Sequence, residues 1–375
     1  MTSQVLQHRP RSTLDIGRES PQKSGMRLLQ VMASRQRGGA EAFFSRLCVA
    51  LAQSPTDKRD PIEQSVVIRN RAACRDELVA AGLEPIEMPF LFNGDPLTRH
   101  RLGRLIAATA PEIVLSWMSR AASTCPPARP GGRFVHVGRL GGYYDLKYYA
   151  ACDHLIANTQ DIADYVMARG WPRGRVHYLP NFVDERPVPA AARASLDTPA
   201  DAPVVLALGR LHSDKAFDVL LTALADVPRA HLWLAGEGPL NSSLRRLAQS
   251  LGIAARVHFL GWRTDVAALL GAADCLACPS RIEPLGNVIL EAWAHRRPVV
   301  VAASKGPLGL VRSEDTGLVV PLEDAPALAE ALRRVLDDKS FAAALAERGH
   351  AEYRSRFSKD AVTALYREFL LKVAV

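Results

Sequence analysis

The feature that most constrains this chain is an alternation that runs along it and restarts once. Short apolar runs (RLLQVMA, SVVIRN, IVLSWM, RFVHVG, HLIANT, VHYLPN) are separated by stretches with helical spacing, such as AEAFFSRLCVALAQ, ACRDELVAAGL and QDIADYVMARG. That pattern is the mark of βαβ units and a parallel sheet. It stops at DERPVPAAARASLDTPADAP (184–203), a Pro/Ala/Asp stretch with no apolar face, and then begins afresh with PVVLALGR, HLWLAGEG, VHFLG, CLACPS, RPVVVAAS and GLVVP. The expected class is α/β, with two Rossmann-like doubly wound parallel-sheet domains in tandem, facing a cleft. The first is placed over 26–184, a linker over 185–202 and the second over 203–355. A final amphipathic helix over 356–375 is expected to pack back on the first domain. Residues 1–25 lack periodicity, are rich in Ser, Pro and Arg, and read as a disordered basic extension.

At 375 residues the chain is too long for one ordinary core. It contains no apolar run near the ~20 residues needed to span a bilayer, and its start shows no apolar secretory segment. The six cysteines are scattered, which suits a reducing cytoplasm. Cys275 and Cys278 form a C-x-x-C inside ADCLACPS, but no second Cys/His pair follows at zinc spacing, so they read as core residues. The charge is uneven. Residues 26–183 hold 20 basic and 14 acidic side chains, whereas residues 184–375 hold 23 of each. A basic excess confined to the tail and first domain suits a surface that meets something anionic; an Arg-rich composition without any partner is the plainer alternative.

Three stretches carry candidate chemistry. In SRIEPLGNVILEAWA, strand CLACPS runs into a loop bearing Glu283, and Gly286 lets the chain turn tightly into a helix from Asn287. The amides of Leu285, Gly286, Asn287 and Val288 would then present an anion site suited to phosphate. Glu291 lies one turn further in. Two acids flanking a phosphate site suit the two sugars of a nucleotide sugar, although on spacing alone Glu291 is an ordinary helix acid. In LALGRLHSDKAFDVLL, Arg210 and Lys215 follow a strand end and could clamp a diphosphate. LAGEGPL places Gly236 in a tight loop, and VHFLGWRTD places Trp262 and Arg263 where a base could stack. In the first domain, Gly38 and Gly39 separate the first strand from the first helix without forming G-x-G-x-x-G, and would permit close backbone approach by a ligand.

Taken in order, GGAE (38–41), G-R-L-x-x-x-K (209–215), L-A-G-E-G-P (234–239), F-L-G (259–261) and S-R-x-E-P-x-G-N-x-x-x-E-A (280–292) resemble the signature of glycosyltransferase family 4, retaining enzymes of GT-B fold. ANTQDIADYVMARGWPRGRVHYLPNFVD (157–184) is similar to that family's passage into its interdomain linker, and the likeness covers roughly residues 27–370. The resemblance implies that Arg210 and Lys215 hold the donor diphosphate with the amides near Gly286 and Asn287. Glu291 would bond the ribose and Glu283 the transferred sugar. It also implies retention of anomeric configuration without an enzyme nucleophile and without a metal; the chain has no Asp-x-Asp motif. No cofactor is expected beyond the nucleotide sugar as co-substrate. The remaining partners would be a glycan or lipid-linked acceptor and an anionic membrane surface, with no nucleic acid. The expected setting is cytoplasmic, with a peripheral place on the inner face of the membrane open to it, in cell-envelope polysaccharide or lipopolysaccharide synthesis.

The chain departs from the family in two places. VVVAASKGPLGLVRSEDTGLVV offers Lys305 and Gly306 where a Gly-Gly-x-x-Glu loop is usual. The histidine that many members carry near the anomeric centre has two stand-ins in FVHVGRLGGYYDLKYY: His136 inside the strand and Arg139 nearer its end. His136 also reads as plain core, and Arg139 suits an acceptor or phosphate contact. Asp145 and Tyr143 are further acceptor candidates, the latter in an aromatic and basic cluster suited to a sugar face or a membrane interface. A nucleotide-sugar epimerase of GT-B type and a non-enzymatic binder of anionic polymers are the alternative readings.

Overall fold

The structure is a computed structural model that describes residues 25–36, 38–53, 61–128 and 134–374. The extension expected over 1–25 lies outside these residues, apart from Gly25. The first domain is built from β1 (Met26–Met32), α1 (Gly39–Gln53), β2 (Ile62–Arg69), α2 (Arg75–Ala80), β3 (Ile86–Met88), α3 (Pro96–Thr109), β4 (Ile113–Trp117), α4 (Met118–Thr124), β5 (Val135–Leu140), β6 (His154–Ala157), α5 (Gln160–Ala168) and β7 (Val176–Tyr178). The second contains β8 (Val204–Leu208), α6 (Phe217–Ala225), β9 (His231–Ala235), α7 (Asn241–Ser250), β10 (Val257–Gly261), α8 (Val266–Ala272), β11 (Cys275–Cys278), α9 (Asn287–Ala294), β12 (Val299–Ala302), α10 (Lys305–Leu310), β13 (Leu318–Val320) and α11 (Ala325–Asp337). Helix α12 (Lys339–Arg356) follows, and α13 (Lys359–Val373) closes the chain.

Both sheets are parallel throughout, ordered β3-β2-β1-β4-β5-β6-β7 and β10-β9-β8-β11-β12-β13. Each therefore has a point where the strand order reverses, β1/β4 in one and β8/β11 in the other, and crevices at strand C-termini open there. Helices cover both faces, so central strands are apolar on both sides. In β8, Val205 and Ala207 pack with Leu220, Leu224 and Leu332, while Val204, Leu206 and Leu208 pack with Ile289, Trp293 and Phe357. Cys275 and Cys278 are buried free thiols of β11, with pKa values pushed up by burial to about 12 and about 11.

Two segments tie the halves together. The stretch after β7 packs on the second domain despite its polar composition: Arg193 donates to the carbonyls of Ala200, Ala202 and Ala272 and pairs with Asp274, and Trp233 Nε1 donates to the buried Thr198 hydroxyl. Hydrogen bonds replace the missing apolar face. Helix α12 then lies against α9, where a side chain at Gly349 would meet the Trp293 ring at 2.5 Å. Ser358 caps α13, which crosses back and sets Val362, Tyr366, Phe369 and Leu370 into the first core beside Phe43 and Leu47. Burying Val362, Phe369 and Leu370 contributes roughly 1.5–3 kcal/mol each.

Candidate active site

The second-domain face of the cleft is built by loops that interlock through missing side chains. Gly209 N–H donates to Ala235 O at 3.0 Å, Gly236 N–H to Gly261 O at 2.8 Å and Leu211 N–H to Glu237 O at 2.9 Å. A Cβ on Gly236, whose φ is +151°, would fall 1.8 Å from Gly209 O. Gly236 thus holds the floor of the cleft by close backbone approach, a packing task that its expected donor contact did not include. Arg210 emerges from this floor exposed, and Lys215 follows half-buried.

Lys215 Nζ pairs with Glu283 Oε2 at 2.5 Å, with side-chain exposures of 23% and 11%. The loop carrying Glu283 is clamped from two sides. Arg281 donates to Asp218, Glu323 and the carbonyl of Ser213, which holds its pKa above the usual arginine value. Gly306 N–H donates to Glu283 O at 2.8 Å, and a Cβ on Gly306 would sit 2.4 Å from that oxygen. The Lys305–Gly306 segment therefore supports the Glu283 loop from beneath.

Gly286, with φ +91°, turns the chain into α9. Among the described residues the N–H groups of Leu285, Gly286, Asn287 and Val288 donate no hydrogen bond. Four free amides at the positive end of a helix dipole attract an anion. One turn in, the Glu291 carboxylate has no hydrogen-bond or ion-pair partner among the described residues. Burial raises its pKa, Arg46 of α1 opposes that, and Asp184 adds to it. An unpartnered carboxylate on a half-buried residue facing the cleft is poised to accept from hydroxyl groups. Arg263 is less free, because Asp265 takes its Nε and Nη2 at 2.8 and 2.6 Å.

Asn287 also reaches across the cleft. Its Oδ1 accepts from Asn181 Nδ2 at 3.0 Å, and a Cβ on Gly39 would fall 2.4 Å from its Nδ2. Gly39 opens α1 against this side chain, while Gly38 lies against Glu41, whose Oε1 takes the Ser34 hydroxyl at 2.5 Å.

In the first domain the cleft roles expected of Arg139 and His136 need correction, and Asp145 and Tyr143 have partners that the sequence did not show. Arg139 does not open into the cleft: it is 1% exposed, stacked 4.5 Å from the Trp117 ring and 4.8 Å from Phe43. Its Nε donates to Tyr366 of α13 at 3.0 Å and its Nη2 to Asn181 Oδ1. Strand alternation aims it at the face that α1 and α13 cover. His136 points the other way and is fully buried, with Nε2 2.9 Å from Ser116 Oγ and Nδ1 3.1 Å from Ala151 O; burial lowers its pKa to about 4. Asp145 is exposed, caps the following turn through Lys147 N–H and pairs with Lys147 Nζ. The Tyr143 hydroxyl donates to Asp161, which also lies 3.4 Å from Lys305 Nζ of the second domain. Lys305 in turn sits 5.0 Å over the Tyr143 ring. Tyr143 thus belongs to an interdomain contact, as Asn181 does. The motif containing LPNFVD held Asn181 in plain view, but nothing local to it announces a partner 106 residues away.

The arrangement offers a preset anion site flanked by two acids. Among the described residues no group of three or more His, Cys, Asp or Glu side chains could hold a metal ion, and no helix is long and apolar enough to cross a membrane. The family model for "Glycosyl transferases group 1" matches residues 202–338, the half that carries this site. The lipopolysaccharide core biosynthesis glycosyltransferase LpsE of Rhizobium meliloti (strain 1021) is 38% identical over 335 residues, spanning 89% of this chain and 96% of that protein. LpsD of the same organism is 35% identical over 332 residues, spanning 88% and 94%. Among solved structures, Anabaena HepE in complex with UDP and glucose superposes with a TM-score of 0.77 at 21% identity, over 92% of this chain and 100% of that one. At that identity the likeness concerns the fold.

Proposed function

The chain belongs to the group 1 glycosyl transferases, and from that premise we propose that it is a retaining, family 4 hexosyltransferase acting on a lipopolysaccharide-core type of acceptor. The observation that carries this reading is the row of free amides at the start of α9 with Lys215–Glu283 on one side and the unpartnered Glu291 on the other. The nucleotide diphosphate lies on the amides, and its ribose bonds Glu291. Arg210 and Lys215 meet the charge that grows on the diphosphate as the glycosidic bond breaks. Those cations and amides supply the electrostatic work, so no divalent metal is required. Glu283 orients the sugar hydroxyls. Its carboxylate is neutralised by Lys215, which makes it a poor nucleophile. The departing diphosphate oxygen then takes the acceptor's proton, and attack from the same face retains configuration. The acceptor type follows from the relatives LpsE and LpsD, named as core biosynthesis enzymes of lipopolysaccharide.

Lipid-linked acceptors place the enzyme on the cytoplasmic membrane surface. Leu91 and Phe92, 58% and 56% exposed, precede α3, whose Arg99, Arg101 and Arg104 could meet anionic headgroups. The test is thermal stabilisation by UDP, GDP, ADP and their sugar conjugates. One nucleotide is expected to raise the melting temperature by several degrees, with the shift lost in Arg210→Ala and undiminished by EDTA. No shift with any nucleotide overturns the donor site. Glu291→Gln is expected to raise donor KM chiefly; an unchanged KM removes the ribose contact.

A further inference from the structure

Three arginines of the first domain gather at its own switch point, and among the described residues no carboxylate pairs with any of them. In the sheet register Met32 of β1 is level with Ile68 of β2 on one side and Trp117 of β4 on the other. Arg69 is the next residue after Ile68. Arg35 lies three residues beyond Met32, and Arg120 three beyond Trp117. The three therefore leave adjacent strands at one height, β2 and β4 being about 10 Å apart. Met118 adopts φ +66°, unusual for a residue with a side chain, and turns the chain sharply from β4 into α4, bringing Arg120 over the strand ends.

Two of the three are held in place by their inner nitrogens. Arg35 Nε donates to Asn70 O at 2.8 Å, and Arg69 Nε donates to Pro89 O at 3.2 Å. Anchoring Nε on a carbonyl fixes the plane of each guanidinium. The outer nitrogens of Arg35, Arg69 and Arg120 make no hydrogen bond or ion pair among the described residues. Arg120 Nε is itself buried with no partner. Burial, then the nearby charges of Arg120 and Arg35, lower the Arg69 pKa. Like charges held together with unused donors are unfavourable until an anion joins them.

We propose that Arg35, Arg69 and Arg120 form an acceptor subsite that grips an anionic substituent, a phosphate monoester or a carboxylate, on the glycan to be extended. This rests on the glycosyltransferase reading and deepens it. Planar forks suit either oxyanion bidentately. The subsite stands at the C-terminal end of the first sheet, the end from which the Gly38–Gly39 loop and α1 face Asn287 of the donor-site helix. An acceptor anchored there extends toward the donor.

The full chain is titrated calorimetrically with glucose 6-phosphate, galacturonate and neutral glucose, and separately with UDP, GDP and ADP. At least one anionic sugar is expected to bind saturably, and glucose at least tenfold more weakly. Whichever anionic sugar binds more tightly identifies phosphate or carboxylate as the group recognised. Arg69→Ala and Arg120→Gln are expected to weaken that binding at least tenfold, while nucleotide binding stays at the wild-type value and shows that each variant is folded. Equal binding of glucose and the charged sugars, no binding of either charged sugar, or undiminished binding in both variants overturns the subsite. Loss of all nucleotide binding by the wild-type chain overturns the glycosyltransferase reading instead.

Discussion

The two domains share one topology and treat the cleft in different ways. The second presents backbone: four free amides, and a floor of glycines so close that a side chain on Gly236 would strike the neighbouring loop. The first buries its most suggestive side chains, His136 and Arg139, and offers the cleft arginines from the strand ends. A site made of main chain needs glycines at fixed spacing, which are visible in sequence. A site made of side chains from three strand ends leaves no local pattern.

If this contrast is right, damage to each half should look different. The largest effect belongs to the second domain. Glu283→Ala is expected to lower transfer about 100-fold or more while leaving the melting temperature near wild type. Wild-type turnover would remove the assignment of Glu283 and weaken the case for a main-chain donor site. Next comes an effect of pH centred on the first domain. His136 has its pKa lowered from 6.5 to about 4 by burial, and His177, beside His154 at 3.1 Å, is lowered to about 4 chiefly by burial. The unfolded chain binds these protons more readily, so the stability contribution is complete above pH 6.5 and drains as pH falls toward 4. For His136 alone the loss is about 3 kcal/mol. Hydrogen exchange at pH 5 should show the first sheet opening before the second; simultaneous opening would erase the distinction.

Smaller effects probe the seam. Asn181→Ala removes the partner of both Arg139 and Asn287. It is expected to cost about 1–3 kcal/mol, read by urea titration, with donor KM changed less than stability because the Asn287 amide is retained. A donor KM that rises more than tenfold with no loss of stability would make Asn181 part of the donor site. Lys305→Ala should do least. Its pair with Asp161 is exposed, so a change within about 0.5 kcal/mol is expected. A larger loss, abolished by salt, would show that the seam is electrostatic.

Much of the fold was legible because buried parallel strands are continuous apolar runs: β8, β9, β11 and β12 all show in sequence. Helix α3 did not. It buries only Thr98, Leu102 and Ile106, one residue per turn, among four basic side chains. Strand β3 is three residues long and mostly exposed. At the site, Glu283, Gly286 and Glu291 lie along the one βα junction that the sequence placed after β11, whereas the Lys215–Glu283 pair spans 68 residues and shows in no local pattern. His136 and Arg139 were harder. Strand alternation says that they point to opposite faces, but only the packed helices say that both faces are covered. Asn181 and the Lys305–Asp161 contact depend on how two domains meet, and no window of sequence contains that.

The return of α13 to the first domain has a consequence for synthesis. Tyr366 and its neighbours complete a core whose strands lie more than two hundred residues earlier, and Arg139 waits on the same helix for the hydroxyl that accepts the hydrogen bond of its Nε. The second domain is contiguous from β8 to α12, so its own sheet and helices can close without waiting for α13. The domain translated first is therefore the one finished last.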